Sequence, residues 1–209
     1  MMRALPSRRG VLLGAGCAVP LAACSLLPNS PAAQIYRLDP TIDDPPDGPA
    51  LQERLLVDLP NASASLDTDR IALTRDRTRF DYYADSVWTD RAPVLLQALL
   101  IEAFENDGGI AEIGRDAGTM TPDYLLATEL RDFEASYAAS DDRPPDIVVE
   151  LGLGLIRMAD RQMIDRTTIR ERAPARRNNV DAVVEAFDTA VGKVLAQSVA
   201  WTVRSIRRG

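Results

Sequence analysis

The stretch PDIVVELGLGLIRMADRQMIDRTTIRERAPA, residues 145–175, holds two extended runs on either side of a turn at Ala159 to Gln162. Gly152 and Gly154 interrupt the first run, where they favour close backbone packing or a bulge. They lack the third glycine and the following helix of a nucleotide-binding fingerprint. The pattern therefore predicts a long β-hairpin.

The residues after this hairpin change to helical periodicity. The apolar residues of the segment 178–208 recur at helical spacing and would form one broad stripe, which predicts a long amphipathic C-terminal helix. The stripe consists of Val180, Val183, Val184, Phe187, Val191, Val194, Leu195, Ser198 and Val199. The terminal Arg204, Arg207 and Arg208 suit the negative end of the helix dipole, and contact with anionic lipid headgroups is the alternative.

Short strands alternate with turns in the first half of the chain. QIYRLD (34–39), ERLLVDLP (53–60), DRIALTRD (69–76) and TRFDYYADSVW (78–88) all favour extended structure. The last two segments follow each other closely enough to pair as a hairpin. In the second segment, Leu55, Val57 and Leu59 are expected on one face.

A second helix is predicted over VLLQALLIEAFEND, residues 94–107. Thr89 or Asp90 is the expected N-cap, and Pro93 falls in the first turn. Gly108 and Gly109 end the helix, and a short strand and a turn follow.

Residues 123–139, DYLLATELRDFEASYAA, are ambiguous from their pattern alone. Leu126, Leu130, Phe133 and Tyr137 fit a helix, and the alternation expected of a strand is less clear. Two amphipathic helices cannot bury their stripes on each other and leave all the strands uncovered. The expected fold is therefore α+β: a single two-layer domain with a mixed, mainly antiparallel sheet and both helices on one face.

The N-terminus has the organisation of a secretory signal. Arg3, Arg8 and Arg9 precede an apolar run from Val11 to Ala23 that is too short for a membrane span. Leu21, Ala22 and Ala23 before Cys24 resemble the lipobox of bacterial lipoproteins, in which the cysteine thiol takes a diacylglycerol and the new amino terminus takes an acyl chain such as palmitate. The alternative is an ordinary signal peptide with a chance cysteine.

The same head resembles a second export signal. Ser7, Arg8 and Arg9 begin a twin-arginine-like motif, although Val11 and Leu13 replace its usual Phe and Lys. Paired arginines in an ordinary charged head are the alternative, and the export route stays open. Cys17 lies upstream of the expected cleavage point, so the mature chain would keep no thiol besides the acylated one.

These features predict three parts of the chain. Residues 1–23 are the signal peptide, residues 24–33 a flexible lipid-anchored tether, and residues 34–209 one domain. The loss of three arginines with the signal makes the formal charge about −10, so nucleic acid is not expected as a partner. The membrane is reached through the lipid anchor.

The composition offers little for catalysis. The chain has no histidine, which removes the commonest general base and zinc ligand. Acidic pairs such as Asp141 and Asp142 flank prolines in expected loops, where a solvated turn is favoured over glycosidase chemistry. We therefore expect no enzyme, no metal and no cofactor beyond the covalent lipid on Cys24.

Four aromatic residues cluster in one predicted strand: Phe80, Tyr82, Tyr83 and Trp88. Phe80 and Tyr82 should share one face, with Tyr83 on the other. Packing in the core is one interpretation, and a partner-binding patch of Tyr82, Tyr83 and Trp88 is the other.

The order of the segments resembles a known family. The lipobox, YRLDP, DRIALTR, Y-Y-A-D, W-x-x-x-x-P-x-L-L and the later ELRDFEASY fall in the order of the ABC-type transport auxiliary lipoprotein family. The most specific part of the resemblance is residues 70–104. This is the lipoprotein component of paraquat-inducible and related lipid-transport systems. The resemblance implies a strand at LRDFEASY, and residues 123–139 are therefore predicted as a strand.

The resemblance also implies a role. An accessory lipoprotein of this kind would dock a mammalian-cell-entry (MCE) domain protein that moves lipid between the inner and outer membranes, and would act indirectly with its permease and ATPase. No catalytic residues come with it, and a homo-oligomer is compatible with it. Ser25 after Cys24 favours the outer membrane, facing the periplasm. An outer-membrane assembly or chaperone lipoprotein is the alternative.

Overall fold

The computed structural model describes residues 32–42, 49–76, 78–116, 118, 120–138 and 143–209. Nine strands and two helices lie within these residues. In chain order they are β1 (Gln34–Tyr36), β2 (Leu51–Val57), β3 (Asn61–Ala62), β4 (Arg70–Arg75), β5 (Arg79–Trp88), α1 (Ala92–Asp107), β6 (Ile110–Gly114), β7 (Tyr124–Tyr137), β8 (Asp146–Arg157), β9 (Gln162–Pro174) and α2 (Val180–Arg208).

The strands form one open mixed sheet around β7. On one side, β8 pairs antiparallel along β7, and β9 pairs antiparallel with β8. On the other side, β2, β3 and β4 pair parallel with successive segments of β7. Beyond them, β6 pairs with β2, β5 pairs with β4, and β1 pairs with β5. The predicted hairpin and the α+β class are confirmed.

Residues 124–137 form a strand despite the helical spacing of their apolar side chains. Leu130 faces Leu151 and Asp132 faces Glu150, so Arg131 is one extra residue in β7. Such a bulge changes which residues point to which face. Leu130 before the bulge and Phe133 after it consequently both face the core, at 2% and 1% exposure. The bulge thus explains why this strand has odd apolar spacings.

The prediction for α1 fails at its N-terminus and holds at its C-terminus. Arg91 occupies the N-cap position and no side chain caps the helix, so the prediction of Thr89 or Asp90 is wrong. The carboxylate of Asp90 accepts from the Arg91 backbone N–H instead. At the other end Gly108 adopts the left-handed conformation, with φ of 67°, and its N–H donates to the carbonyl of Phe104. That end confirms the prediction.

The long helix α2 confirms the C-terminal prediction. The side-chain oxygen of Asn179 accepts from the Ala182 N–H and caps its first turn, and Arg207 and Arg208 lie in its last turn. The predicted stripe is buried, except that Val180 is half-buried. Within the described residues, neither helix is long and apolar enough to cross a membrane.

The core lies between the sheet and the two helices. Leu55 and Val57 of β2 are fully buried, as expected. Leu59 does not share their face, because β2 ends at Val57, and its side chain is 43% exposed. The side of the sheet away from the helices has no covering helix among the described residues, and we call it the open face.

Candidate docking surface

The predicted lipidation residue lies outside the described residues. The same holds for the other signal residues, Arg8, Arg9, Leu21, Ala22 and Ala23. Acylation of Cys24 therefore stays a prediction.

Trp88 belongs to the core and not to the surface. Its side chain is 2% exposed, and its ring contacts those of Phe187 and Phe133 at centroid distances of 5.1 and 5.7 Å. These rings join β5, β7 and α2. Trp88 must accordingly be removed from the predicted docking patch, since a folded domain cannot offer it to a partner.

Trp88 faces the core because the alternation of side chains along β5 is interrupted. Arg70 pairs with Val87, whereas Ala72 pairs with Tyr82, so β5 has extra residues opposite this part of β4. Asp85 within this segment has a φ of 52°, which is uncommon for a residue with a side chain. Regular alternation would place Tyr82 and Trp88 on the same face; the irregularity turns Trp88 into the core.

Tyr83 is held in a half-buried hydrogen-bond chain. Its hydroxyl is 2.8 Å from the Tyr137 hydroxyl, and Tyr137 donates to the side-chain oxygen of Asn178 at 2.8 Å. Burial, with the hydrogen bond to Tyr137, raises the pKa of Tyr83 well above its usual range. Tyr83 therefore joins β5, β7 and the segment before α2, and little of it faces outward.

Phe80 and Tyr82 form an aromatic pair on the open face. Their rings meet edge to face at 5.4 Å between centroids, and the Phe80 side chain is 40% exposed. The Arg70 guanidinium lies 3.8 Å from the centre of the Tyr82 ring, and the Tyr82 hydroxyl donates to the Ser65 carbonyl. This pair is the part of the predicted aromatic cluster that a partner can reach.

A charge ladder occupies the middle of the open face. Arg131 pairs with Glu129 at 2.8 Å and with Glu150 at 3.8 Å, and Arg170 pairs with Asp132 at 2.5 Å and with Glu150. The ladder crosses β7, β8 and β9. Alternating charges in ELRDFE and RTTIRER are the sequence signal that could have indicated it.

Gly152 makes room for this ladder. A Cβ atom on it would lie 3.2 Å from the Arg131 guanidinium, which therefore lies directly over the strand. The side-chain nitrogen of Arg131 donates to the Thr168 hydroxyl from there. A shallow groove of about 490 Å³ runs over Gly152 and Gly154 beside Met163. The glycines thus serve close packing, as the sequence indicates.

A segment that we call the strap, residues 36–42, crosses the helix side of the domain. The Tyr36 hydroxyl donates to Asp181 at 2.9 Å, and Leu38 is 1% exposed in the core. The Asp39 N–H donates to Asp188 at 2.8 Å. A Cβ on Gly192 would lie 3.1 Å from the Thr41 carbonyl oxygen, so the strap passes close over α2.

The strap and α2 enclose a cleft of about 640 Å³ that contains Asp39, Asp188 and Lys193. Burial raises the pKa of the Asp188 carboxyl, and the negative charge of Asp39 raises it further. The hydrogen bond from the Asp39 N–H lowers this pKa in part. In the described part of the chain, no three side chains of metal-ligating type converge.

Fold and surface together define a class: a two-layer α+β domain with helices and strap on one side and an open, charged sheet face on the other. Comparison with known families makes this specific. Residues 36–200 match the model of the ABC-type transport auxiliary lipoprotein component, and the chain belongs to this family.

Solved structures are also similar to this chain. The crystal structure of protein XCC0632 from Xanthomonas campestris is 29% identical, with a TM-score of 0.77, over 84% of this chain and 98% of that one. A further solved structure at 12% identity, with a TM-score of 0.64, over 82% of this chain and 99% of that one, supports the fold alone.

A curated relative, an uncharacterized protein of Bradyrhizobium diazoefficiens, is 30% identical over 166 residues. That match covers 76% of this chain and 42% of the relative, so this chain spans less than half of the relative's length.

Proposed function

We propose that this protein is a periplasmic docking component of an ABC-type lipid transport system. Cys24, acylated, holds it at the outer membrane, and the open face receives the MCE-domain protein that moves lipid between the two membranes. The permease and ATPase act through that partner and not through this domain. The proposed role needs no catalytic residue and no cofactor besides the lipid.

The open face, which no described helix covers, carries this proposal. The helices and the strap cover one side of the sheet, whereas the other side offers the aromatic pair and the charge ladder. An exposed aromatic residue on the same face as ion-paired side chains is a common composition for a protein interface, because the aromatic ring supplies binding energy and the charges supply specificity.

The strap supports the anchoring part of the proposal. Its hydrogen bonds to Asp181 and Asp188, and the burial of Leu38, hold the residues at the end of β1 and just after it against the helix side. The ten residues 24–33 reach at most about 35 Å when extended. An acylated Cys24 would therefore keep the start of β1 within about this distance of the membrane.

The anchor is tested by fractionation of a Cys24→Ala variant. We expect it to move into the soluble periplasmic fraction with unchanged thermal unfolding, because the lipid and not the domain binds the bilayer. Cys17→Ala is the matched control and should remain in the membrane fraction. Membrane retention of the Cys24→Ala variant would refute the anchor.

Docking is tested by capture of the MCE-domain protein of the proposed transport system. Phe80→Ala should weaken capture at least about tenfold, the loss expected for an interface anchor residue. Ile35→Ala, a change at an exposed apolar residue of β1, is the control and should have no effect. Capture of nascent outer-membrane proteins in place of the MCE protein would favour the chaperone alternative.

A further inference from the structure

We propose that the free edge of β9 binds an extended acidic segment of the partner protein, which adds to the sheet as another strand. This inference rests on the proposed function, since it adds a second contact to the docking role. It concerns an edge of the sheet, whereas the aromatic pair and the charge ladder concern its open face.

The edge itself is long and regular. β9 is 13 residues long and pairs with β8 on one side. On its other side, no strand among the described residues pairs with it. Its register with β8 is unbroken from Asp165 to Pro174. An edge of this length leaves a row of backbone donors and acceptors ready to pair with an added strand.

The side chains of this edge have one sign of charge on the open face. Arg166, Thr168, Arg170 and Arg172 alternate with the core-facing Thr167, Ile169, Glu171 and Ala173. Arg170 is occupied, because it reaches inward to Asp132 and Glu150. In the described part of the chain, Arg166 and Arg172 are exposed and have no ion-pair partner.

This spacing specifies the chemistry of the occupant. Arg166 and Arg172 are six residues apart, which is about 20 Å along a strand. A strand laid against β9 would match them with carboxylates six residues apart and would place a small or polar residue near Thr168. Charged side chains on an edge strand also discourage unwanted pairing with other strands. When the charges all have one sign, they repel a strand of like charge and attract a strand of opposite charge.

β9 lies across the sheet from β1, the strand nearest the proposed lipid anchor. A partner can therefore reach β9 from the side of the domain away from that anchor. The strands run in the order β1, β5, β4, β7, β8 and β9, so five strand spacings separate the two edges. That is about 24 Å. The chain enters the domain at β1, and β9 is the edge farthest from it along this path.

The test uses a synthetic peptide of the length of β9, made of threonine and serine with two glutamates six residues apart. Fluorescence anisotropy should show binding to the mature protein at low salt, and hydrogen exchange should slow at β9 backbone amides. The double variant Arg166→Glu and Arg172→Glu should weaken binding at least about tenfold. Arg204→Glu, the same charge change at an exposed residue of α2, should not.

Two control peptides separate strand addition from simple attraction. The peptide with glutamine in place of glutamate should bind at least about tenfold more weakly, and the peptide with N-methyl groups at alternate residues should not bind. Equal binding of the N-methylated peptide, or no binding of the acidic peptide, would overturn the inference. Self-association of the protein that the double variant abolishes would identify a second copy as the occupant, and would also overturn it.

Capture of the MCE-domain protein by the same variants keeps the two proposals apart. Capture that is lost with Phe80→Ala and unchanged in the double arginine variant would leave the proposed function in place and refute the β9 site.

Discussion

The two faces of the sheet share their strands and differ in what holds them together. On the helix side, Trp88, Phe133 and Phe187 pack ring against ring with almost no exposure. On the open face, β7, β8 and β9 are joined by charged side chains, and only a part of each is buried. The first face should therefore determine stability, and the second should be free to serve recognition.

The largest expected effect is on the helix side. Phe187→Ala removes a fully buried ring that contacts Trp88 and Phe133, and it should lower the free energy of unfolding by about 3–5 kcal/mol. Phe80→Ala on the open face removes one edge-to-face contact and should lower it by only about 0.5–1.5 kcal/mol. Urea unfolding of both variants measures the difference. Losses of similar size would remove the distinction between the faces.

A smaller effect is expected in the charge ladder. Glu150 accepts from Arg170 and lies 3.8 Å from Arg131, and its side chain is 15% exposed. Glu150→Ala should lower the free energy of unfolding by about 1 kcal/mol, and by less at high salt, because screening weakens ion pairs. Glu105→Ala on α1, an exposed glutamate, is the control. A salt-independent loss would indicate packing and not charge.

The smallest effect concerns Glu134 of β7. Burial is the main cause that raises the pKa of its carboxyl, and the negative charge of Asp132 raises it further. Thr74 and the positive charge of Arg170 lower this pKa by less. The folded state then holds the proton more tightly than the unfolded state. The contribution of Glu134 to stability therefore decreases as pH rises from its unfolded pKa, about 4.3, to the raised folded value.

Glu134→Gln removes this slope. At neutral pH the variant should be more stable than the original protein by less than about 0.5 kcal/mol, and the gain should disappear as pH falls toward 4. Urea unfolding over this pH range measures both. A gain that grows at low pH would mean that the pKa is shifted in the opposite direction.

The sequence predicts regular elements well and irregular ones poorly. The hairpin of β8 and β9 and the helix α2 follow from local periodicity, which a regular strand or helix preserves over its whole length. The strand β7 does not, because the extra residue Arg131 turns a period of two into helix-like spacing. Only the resemblance to a family gave its correct assignment.

The candidate site shows the same limit. The sequence indicated an aromatic cluster, but it could not show that the irregularity near Asp85 turns Trp88 inward while Phe80 stays outside. The charge ladder depends on the pairing of three strands, and its members are up to 41 residues apart in the chain, from Glu129 to Arg170. No local pattern brings such residues together.

The sequence by itself determined the helices, the long hairpin, the α+β class and the expectation of a lipidated Cys24. These follow from short segments, because periodicity, turn residues and signal motifs act locally. The tertiary structure alone decided which aromatic side chains are buried, where the open face lies and that β9 is an edge strand among the described residues. These depend on strand register, which backbone hydrogen bonds between distant segments set.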